Sequence, residues 1–124
     1  MAEHNLLGKW GEQVACEYLI VNGYTIIERD TREGFYELDI IAMKGNRIIF
    51  VEVKTRSNNY VDPLQSITPD KIKKLCRAAD SYVKRHDIPH EVQFDIINII
   101  GTPNTAYTIE HIPDAFRPPL RSWR

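Results

Sequence analysis

Leu7, Trp10, Val14, Tyr18 and Val21 recur at intervals of three and four residues, the spacing that lines one side of an α-helix. The pattern predicts a helix from about Glu3 to Asn22, with Gly23 as its stop. Tyr24 to Arg29 is short and β-branched and reads as a strand, and Thr31 to Gly34 as a polar turn. Tyr36 to Met43 and Arg47 to Thr55 are two further strands, joined across Lys44-Gly45-Asn46. Ser57 to Pro69 is a loop carrying Pro63 and Pro69. A second helix is expected from Thr68 or Pro69 to Asp87, with Thr68 as its cap and Pro69 in its first turn. Ile72, Leu75, Cys76, Ala79 and Val83 mark its buried face; Lys71, Lys74, Lys84 and Arg85 lie mostly away from it. Past Pro89, Val92 to Ile100 is nearly all apolar, as in a central strand covered on both faces. Tyr107 to Ile112 fits an edge strand. The order α-β-β-β-α-β, with a possible last strand, predicts an α/β fold: a mixed sheet flanked by helices. Residues 1–112 form one expected domain, and 113–124 an irregular tail with three prolines and three arginines (Arg117, Arg121, Arg124).

Two strands break their own pattern. Alternation sets Ile48, Phe50, Glu52 and Lys54 on one face of the third strand and Ile49, Val51 and Val53 on the other. Both faces are apolar in the first half, so a carboxylate and an amine at the far end need partners, because burying either alone is costly. The preceding strand shows the same oddity: Glu37, Asp39 and Ile41 share one expected face, and Leu38, Ile40 and Ala42 the other. If Gly45 and Asn46 form a two-residue hairpin loop, Lys44 faces Arg47. Counting outward, Asp39 then faces Glu52, and Glu37 faces Lys54. Opposed side chains lie about 5 Å apart at Cβ. Two carboxylates so placed repel unless something positive sits between them, and a divalent cation is the natural candidate. Lys54 would point to the same spot. The plainer alternative is an ordinary Glu52–Lys54 ion pair, with Asp39 accepting a turn hydrogen bond.

Composition narrows the setting. The 124 residues suit one domain, and 43% hydrophobic residues suffice for one core. A formal net charge of -1 argues against a polybasic binder, yet leaves room for a local basic face. Arg56, Lys71, Lys73, Lys74 and Arg77 are candidate contacts to backbone phosphates; a solvated helix face accounts for them equally well. The start, Met-Ala-Glu-His-Asn, lacks a signal-like pattern, and no apolar run reaches the roughly 20 residues that span a bilayer. Cys16 and Cys76 sit beside apolar residues in the expected helices, as buried reduced thiols do. A cytoplasmic protein with no membrane partner is the expectation. His4, His86, His90 and His111 show no metal-ligand spacing and read as surface or structural residues. Gln65 and Asp95 receive no role beyond possible support of the site.

The motifs Gly8-x-x-Gly11-Glu12, Gly23-Tyr24, Glu37-Leu-Asp39-Ile-Ile-Ala42 and Phe50-Val-Glu52-Val-Lys54-x-Arg56 together resemble the YraN-like family of uncharacterised bacterial proteins. The resemblance runs from about Leu6 to Ile100. That family resembles archaeal Holliday-junction resolvases and belongs to the PD-(D/E)xK restriction-endonuclease-like superfamily. The resemblance implies a restriction-endonuclease-like αβββαβ core and phosphodiester hydrolysis with Mg²⁺ or Mn²⁺. It implies Asp39 and Glu52 as metal ligands, Lys54 as the catalytic lysine, and Glu12 as the extra acidic ligand of the resolvase-like branch. Read without the family, Glu12 is also what the dipole favours in the first turns of a helix. Gly8 and Gly11 cost the helix roughly 1 kcal/mol each against alanine, which suggests close approach of something there. Two departures stand out: Tyr36-Glu37 where the family has Gly-Glu, and Asp30-Thr-Arg32 where it has Asn-x-Arg. Both would reshape access of substrate.

The expected chemistry is therefore endonucleolytic, on DNA, with branched or structured DNA implied by the resolvase resemblance. Asp39, Glu52 and Glu12, with a backbone carbonyl near Val53, would hold the cation, and Lys54 would position water for in-line attack. A homodimer would suit cleavage of two strands. The two rivals are a non-catalytic nucleic-acid-binding module and a structural or partner-binding protein whose Asp39, Glu52 and Lys54 form a buried polar cluster.

Overall fold

A computed structural model describes residues 6–118. Helix α1 (Leu6–Val21) is followed by strands β1 (Thr25–Glu33), β2 (Tyr36–Lys44) and β3 (Arg47–Arg56). Helix α2 (Pro69–Arg85), strand β4 (Glu91–Ile100) and strand β5 (Thr108–Ile112) complete the order. The strands form one sheet in the order β1-β2-β3-β4-β5. Pairing is antiparallel throughout except between β3 and β4, which run parallel. The mixed α/β sheet and the α-β-β-β-α-β order expected from the sequence are both observed, and the last strand forms on the edge.

Each helix covers one face of the sheet. Under α1 lie Val14, Ala15 and Leu19 with Ile40, Ala42, Ile49, Val51, Ile97 and Ile99. Under α2 lie Leu75, Ala79 and Tyr82 with Leu38, Ile41, Ile48, Phe50, Phe94 and Ile96. Strands β3 and β4 contribute to both layers and are therefore buried on both sides, which explains why Ile48–Val51 is wholly apolar and β4 mostly so. The start of α2 is fixed locally: the Thr68 hydroxyl accepts the Lys71 amide at 3.2 Å, and Pro69 occupies the first turn. Cys16 and Cys76 are buried free thiols, one in each layer. Among the described residues no helix is long and apolar enough to cross a membrane.

Four expectations are corrected. The turn placed at Thr31–Gly34 is mostly strand: Thr31, Arg32 and Glu33 pair with Leu38, Glu37 and Tyr36. These polar residues hold strand geometry as one arm of a tight hairpin closed at Gly34-Phe35, and Glu33 is further fixed by hydrogen bonds from Ser81 and Arg85 of α2. Val21 is exposed, since the buried stripe of α1 runs through Val14, Ala15 and Leu19. The single face expected for Glu37, Asp39 and Ile41 does not exist, because Leu38 packs with Ile41 under α2 while Ile40 packs under α1. Finally, the start of the irregular tail is docked. The Ala115 amide donates to the Phe94 carbonyl at 2.7 Å, and Phe116 stacks on Phe94 at 5.2 Å. Arg121, Arg124 and Glu3 lie outside the described residues.

Candidate metal and phosphate site

The hairpin between β2 and β3 turns at Gly45, whose φ of 59° is left-handed and suits glycine. It sets Lys44 opposite Arg47, and the ladder continues to Ile40 opposite Val51. That is the register counted from the sequence. One step further, where Asp39 would face Glu52, the ladder ends. There the Asp39 carboxylate, in place of a main-chain carbonyl, accepts the Val53 amide at 2.9 Å. Beyond this point β3 is paired only with β4, Lys54 lying beside Asn98. The expected Glu37–Lys54 opposition is therefore not made, and Glu37 pairs with Arg32 instead.

Helix α1 reaches the same place because of Gly11. A Cβ there would overlap the Thr55 hydroxyl and come within 2.8 and 2.9 Å of Thr55 carbons, so only glycine lets the helix lie this close to β3. At Gly11 the close approach suggested by the sequence is thus onto the sheet. The next residue, Glu12, is buried. Carboxylate oxygens of Glu12, Asp30 and Asp39 all lie within 4.8 Å of one another. Asp30 comes from β1 in a left-handed conformation, φ 50°, which aspartate tolerates better than most residues. Sequence reasoning missed it as a site residue; its only mark was the departure from Asn-x-Arg.

Glu52 is buried but is not a member of this trio. Its carboxylate lies 3.6 Å from the Lys54 ammonium and 3.4 Å from the Tyr36 hydroxyl, which donates to it. Lys71 arrives from α2 close to Lys54, so two amines stand beside the acids. The electrostatics follow. Burial, then the Glu52 charge and that of Glu12, push the Asp39 carboxyl well above the usual range, against the Val53 amide and Lys54. Burial also raises Glu52, with Lys54 and Lys71 pulling the other way. Lys71 is lowered by the adjoining Lys54 and by burial. Such a cluster is under strain from like charges, and a hard cation among the acids relieves it.

Several other candidates fall elsewhere. Lys74 is exposed and ion-paired with Asp70 at 3.2 Å, and Lys73 is exposed. Arg56 is half-buried at the end of β3, with its Nε buried and unpartnered. Asn98, next to Lys54, is fully buried with neither amide atom hydrogen-bonded; nothing in its sequence context singled it out. Gln65 is exposed. Asp95 is structural: fully buried, it accepts from Tyr24 at 3.2 Å, Gln93 at 2.9 Å and the Asp114 amide at 3.0 Å, and pairs with His111 at 2.7 Å. Burial alone would raise its carboxyl, but His111, Gln93 and the Asp114 amide together hold it low. His111, bridging to Tyr18 at 3.0 Å, has a structural role.

Comparison with known proteins places the chain. A UPF0102 protein of Bacteroides fragilis is 50% identical over 121 residues, covering 97% of this chain and 99% of that one. A UPF0102 protein of Christiangramia forsetii is 48% identical over 118 residues, covering 94% and 98%. Among solved structures, the chain is similar to Archaeoglobus fulgidus Hjc, a Holliday junction resolvase, at a TM-score of 0.47 and 17% identity, over 86% of this chain and 76% of that one. It is also similar to Pyrococcus furiosus SfsA in complex with Ca²⁺, at a TM-score of 0.42 and 14% identity, over 86% and 62%. The model of uncharacterised protein family UPF0102 matches residues 11–99. The family resemblance read from the motifs therefore holds, and the chain belongs to UPF0102.

Proposed function

We propose that this protein is a divalent-cation-dependent endonuclease acting on DNA. The observation that carries the reading is the convergence of Glu12, Asp30 and Asp39 within 4.8 Å, flanked by Glu52, Lys54 and Lys71. Donor oxygens within one cation's shell lie up to about 4–5 Å apart, and carboxylates are the ligands that Mg²⁺ and Mn²⁺ prefer. The acids present therefore fit the ion. When bound, it would polarise the scissile phosphate and render a water more acidic.

The chain's own residues supply the rest. Glu12, Asp30 and Asp39 would hold the ion, with Glu52 beside them as a further carboxylate. Asp39 is kept in place by the Val53 amide. Lys54 stands where it would orient the attacking water and offset charge on the phosphate, with its carbon chain held on β3. Lys71, brought in from α2 beside Lys54, would add a second positive charge against the phosphate. Branched DNA as substrate, and a symmetric dimer to cut two strands, extend the reading and rest on the family resemblance.

The test is purified protein with millimolar Mg²⁺ or Mn²⁺ against single-stranded, duplex and branched DNA. Lys54→Ala should lower cleavage by roughly 100-fold or more while circular dichroism stays native. Nucleic-acid binding with no cleavage under either metal would make the protein a silent binding module.

A further inference from the structure

The turn between β1 and β2 carries Phe35, whose side chain is fully exposed. It rims a cavity of about 440 Å³ that is also lined by Tyr36, Lys74, Arg77 and Ala78. That volume suits a small-molecule-sized group. The one acid in the wall, Glu33, is already neutralised: Arg85 holds it at 2.7 and 3.2 Å and Ser81 at 2.6 Å. Lys74 is paired with Asp70 only as an exposed i,i+4 couple, which water screens strongly. The cavity therefore combines a bare aromatic face with a cationic wall.

Its position adds a direction. Tyr36 lines the cavity and its hydroxyl reaches Glu52 at 3.4 Å, so cavity and acidic site share a wall. Lys71, Lys74 and Arg77 are spaced by three along α2. They run from the Lys54 amine to the cavity over about 9 Å of helix axis. An apolar ring left in water beside cations, in a cavity that shares Tyr36 with a carboxylate site, matches one chemistry well: a base to stack on, and phosphates to neutralise. A duplex hides its base faces in the stack. An unpaired strand offers them.

We infer that this cavity docks an unpaired nucleotide of a DNA strand, with its base on Phe35 and its phosphates on Lys74 and Arg77, feeding the strand toward Glu52 and Lys54. The inference rests on the nuclease reading for its direction but not for the binding itself. It specifies the substrate class as DNA with an unpaired segment, whether a single strand or the open arms of a branch.

The experiment measures fluorescence anisotropy of labelled oligo-dT, and of a blunt duplex of equal length, in EDTA so that nothing is cut. Phe35→Ala should weaken oligo-dT binding roughly 5- to 150-fold, the span expected for one lost base–aromatic stack, and leave duplex affinity unchanged. Phe35→Trp should retain oligo-dT binding. The pair Lys74→Gln and Arg77→Gln should flatten the salt dependence by about 1.4 in log–log slope, for two phosphate contacts on a single strand. No binding of oligo-dT by the wild type overturns the inference. So does equal loss of duplex and oligo-dT binding in Phe35→Ala. A shift from dimer to monomer in Phe35→Ala with oligo-dT affinity intact also overturns it, by assigning the face to a second copy of the chain. Failure here beside Lys54-dependent cleavage leaves the nuclease standing. Phe35-dependent binding without any cleavage removes the nuclease alone.

Discussion

Replacing Asp39 by asparagine should make the metal-free protein more stable, and the size of the effect follows from the site. The carboxylates of Asp39 and Glu12 lie within 4.8 Å, which at an effective dielectric of about 20 corresponds to repulsion on the order of 3 kcal/mol. Asparagine removes it. The amide oxygen can still accept the Val53 N–H, but without a charge, at a loss of about 1 kcal/mol. The balance is about 2 kcal/mol of added stability. For 124 residues the unfolding entropy makes 1 kcal/mol worth about 4 °C, so the melting temperature in EDTA should rise by about 8 °C.

The pH dependence has a definite sign. A carboxyl raised in the folded state binds its proton more tightly there than in the unfolded chain. Above the unfolded carboxylate value of about 4, stability is therefore lost as pH rises, until the folded value is passed. Asp39 and Glu52 are both raised, so the metal-free wild type should melt lower at about pH 8 than at about pH 5, and Asp39→Asn should reduce that slope. Magnesium should reverse the ranking. Ligand at a hundredfold excess over its dissociation constant adds about 2.7 kcal/mol to a protein that binds it, and the variant lacks a ligand. Differential scanning fluorimetry in EDTA and in Mg²⁺ at several pH values reads all three effects. A variant equal to or less stable than wild type in EDTA would show that no repulsion is stored, and equal stabilisation of both by Mg²⁺ would remove Asp39 from the cation site.

Two further changes test the supports. Gly11→Ala forces a methyl into Thr55, so overpacking of about 1–3 kcal/mol should outweigh the helix-propensity gain of about 1 kcal/mol; chemical denaturation should show lower stability, and a stabilised variant would contradict the close approach. Asp95→Ala strands Tyr24, His111, Gln93 and the Asp114 amide in the interior, at a cost of about 3–5 kcal/mol, with the tail around Ala115 released. Hydrogen exchange at Asp114 and Ala115 should speed up. Because the Asp95 carboxyl is held low, its contribution is present above about pH 4 and disappears only as pH falls through the folded value.

What could be read from the sequence was whatever a local rule controls. The Gly45-Asn46 loop set the register, and the observed pairs from Lys44–Arg47 to Ile40–Val51 follow from it. Thr68 and Pro69 set the start of α2. Strand alternation failed at Leu38–Ile40 because it presumes an unbroken ladder, and there a side chain takes over from the main chain as the partner of Val53. Asp30 and Lys71 join the site through the third dimension, from β1 and α2, and no spacing along the chain encodes that meeting. Asp95 was read only as support for the site, because its partners Tyr24, His111 and Asp114 lie up to 71 residues away in the chain.

The location of the site has a geometric cause. Strand β3 continues from Glu52 to Arg56 beside β4, while its ladder with β2 has already ended. Over those residues one edge of β3 lacks its β2 neighbour, and main-chain groups there must find other partners. The Asp39 carboxylate fills that need at Val53, which draws an acid into the gap. Gly11 lets α1 cover the same stretch at Thr55, which brings Glu12 in from above. The acids thus collect because a central strand outruns one of its neighbours, and the repulsion they store is what a bound cation would relieve.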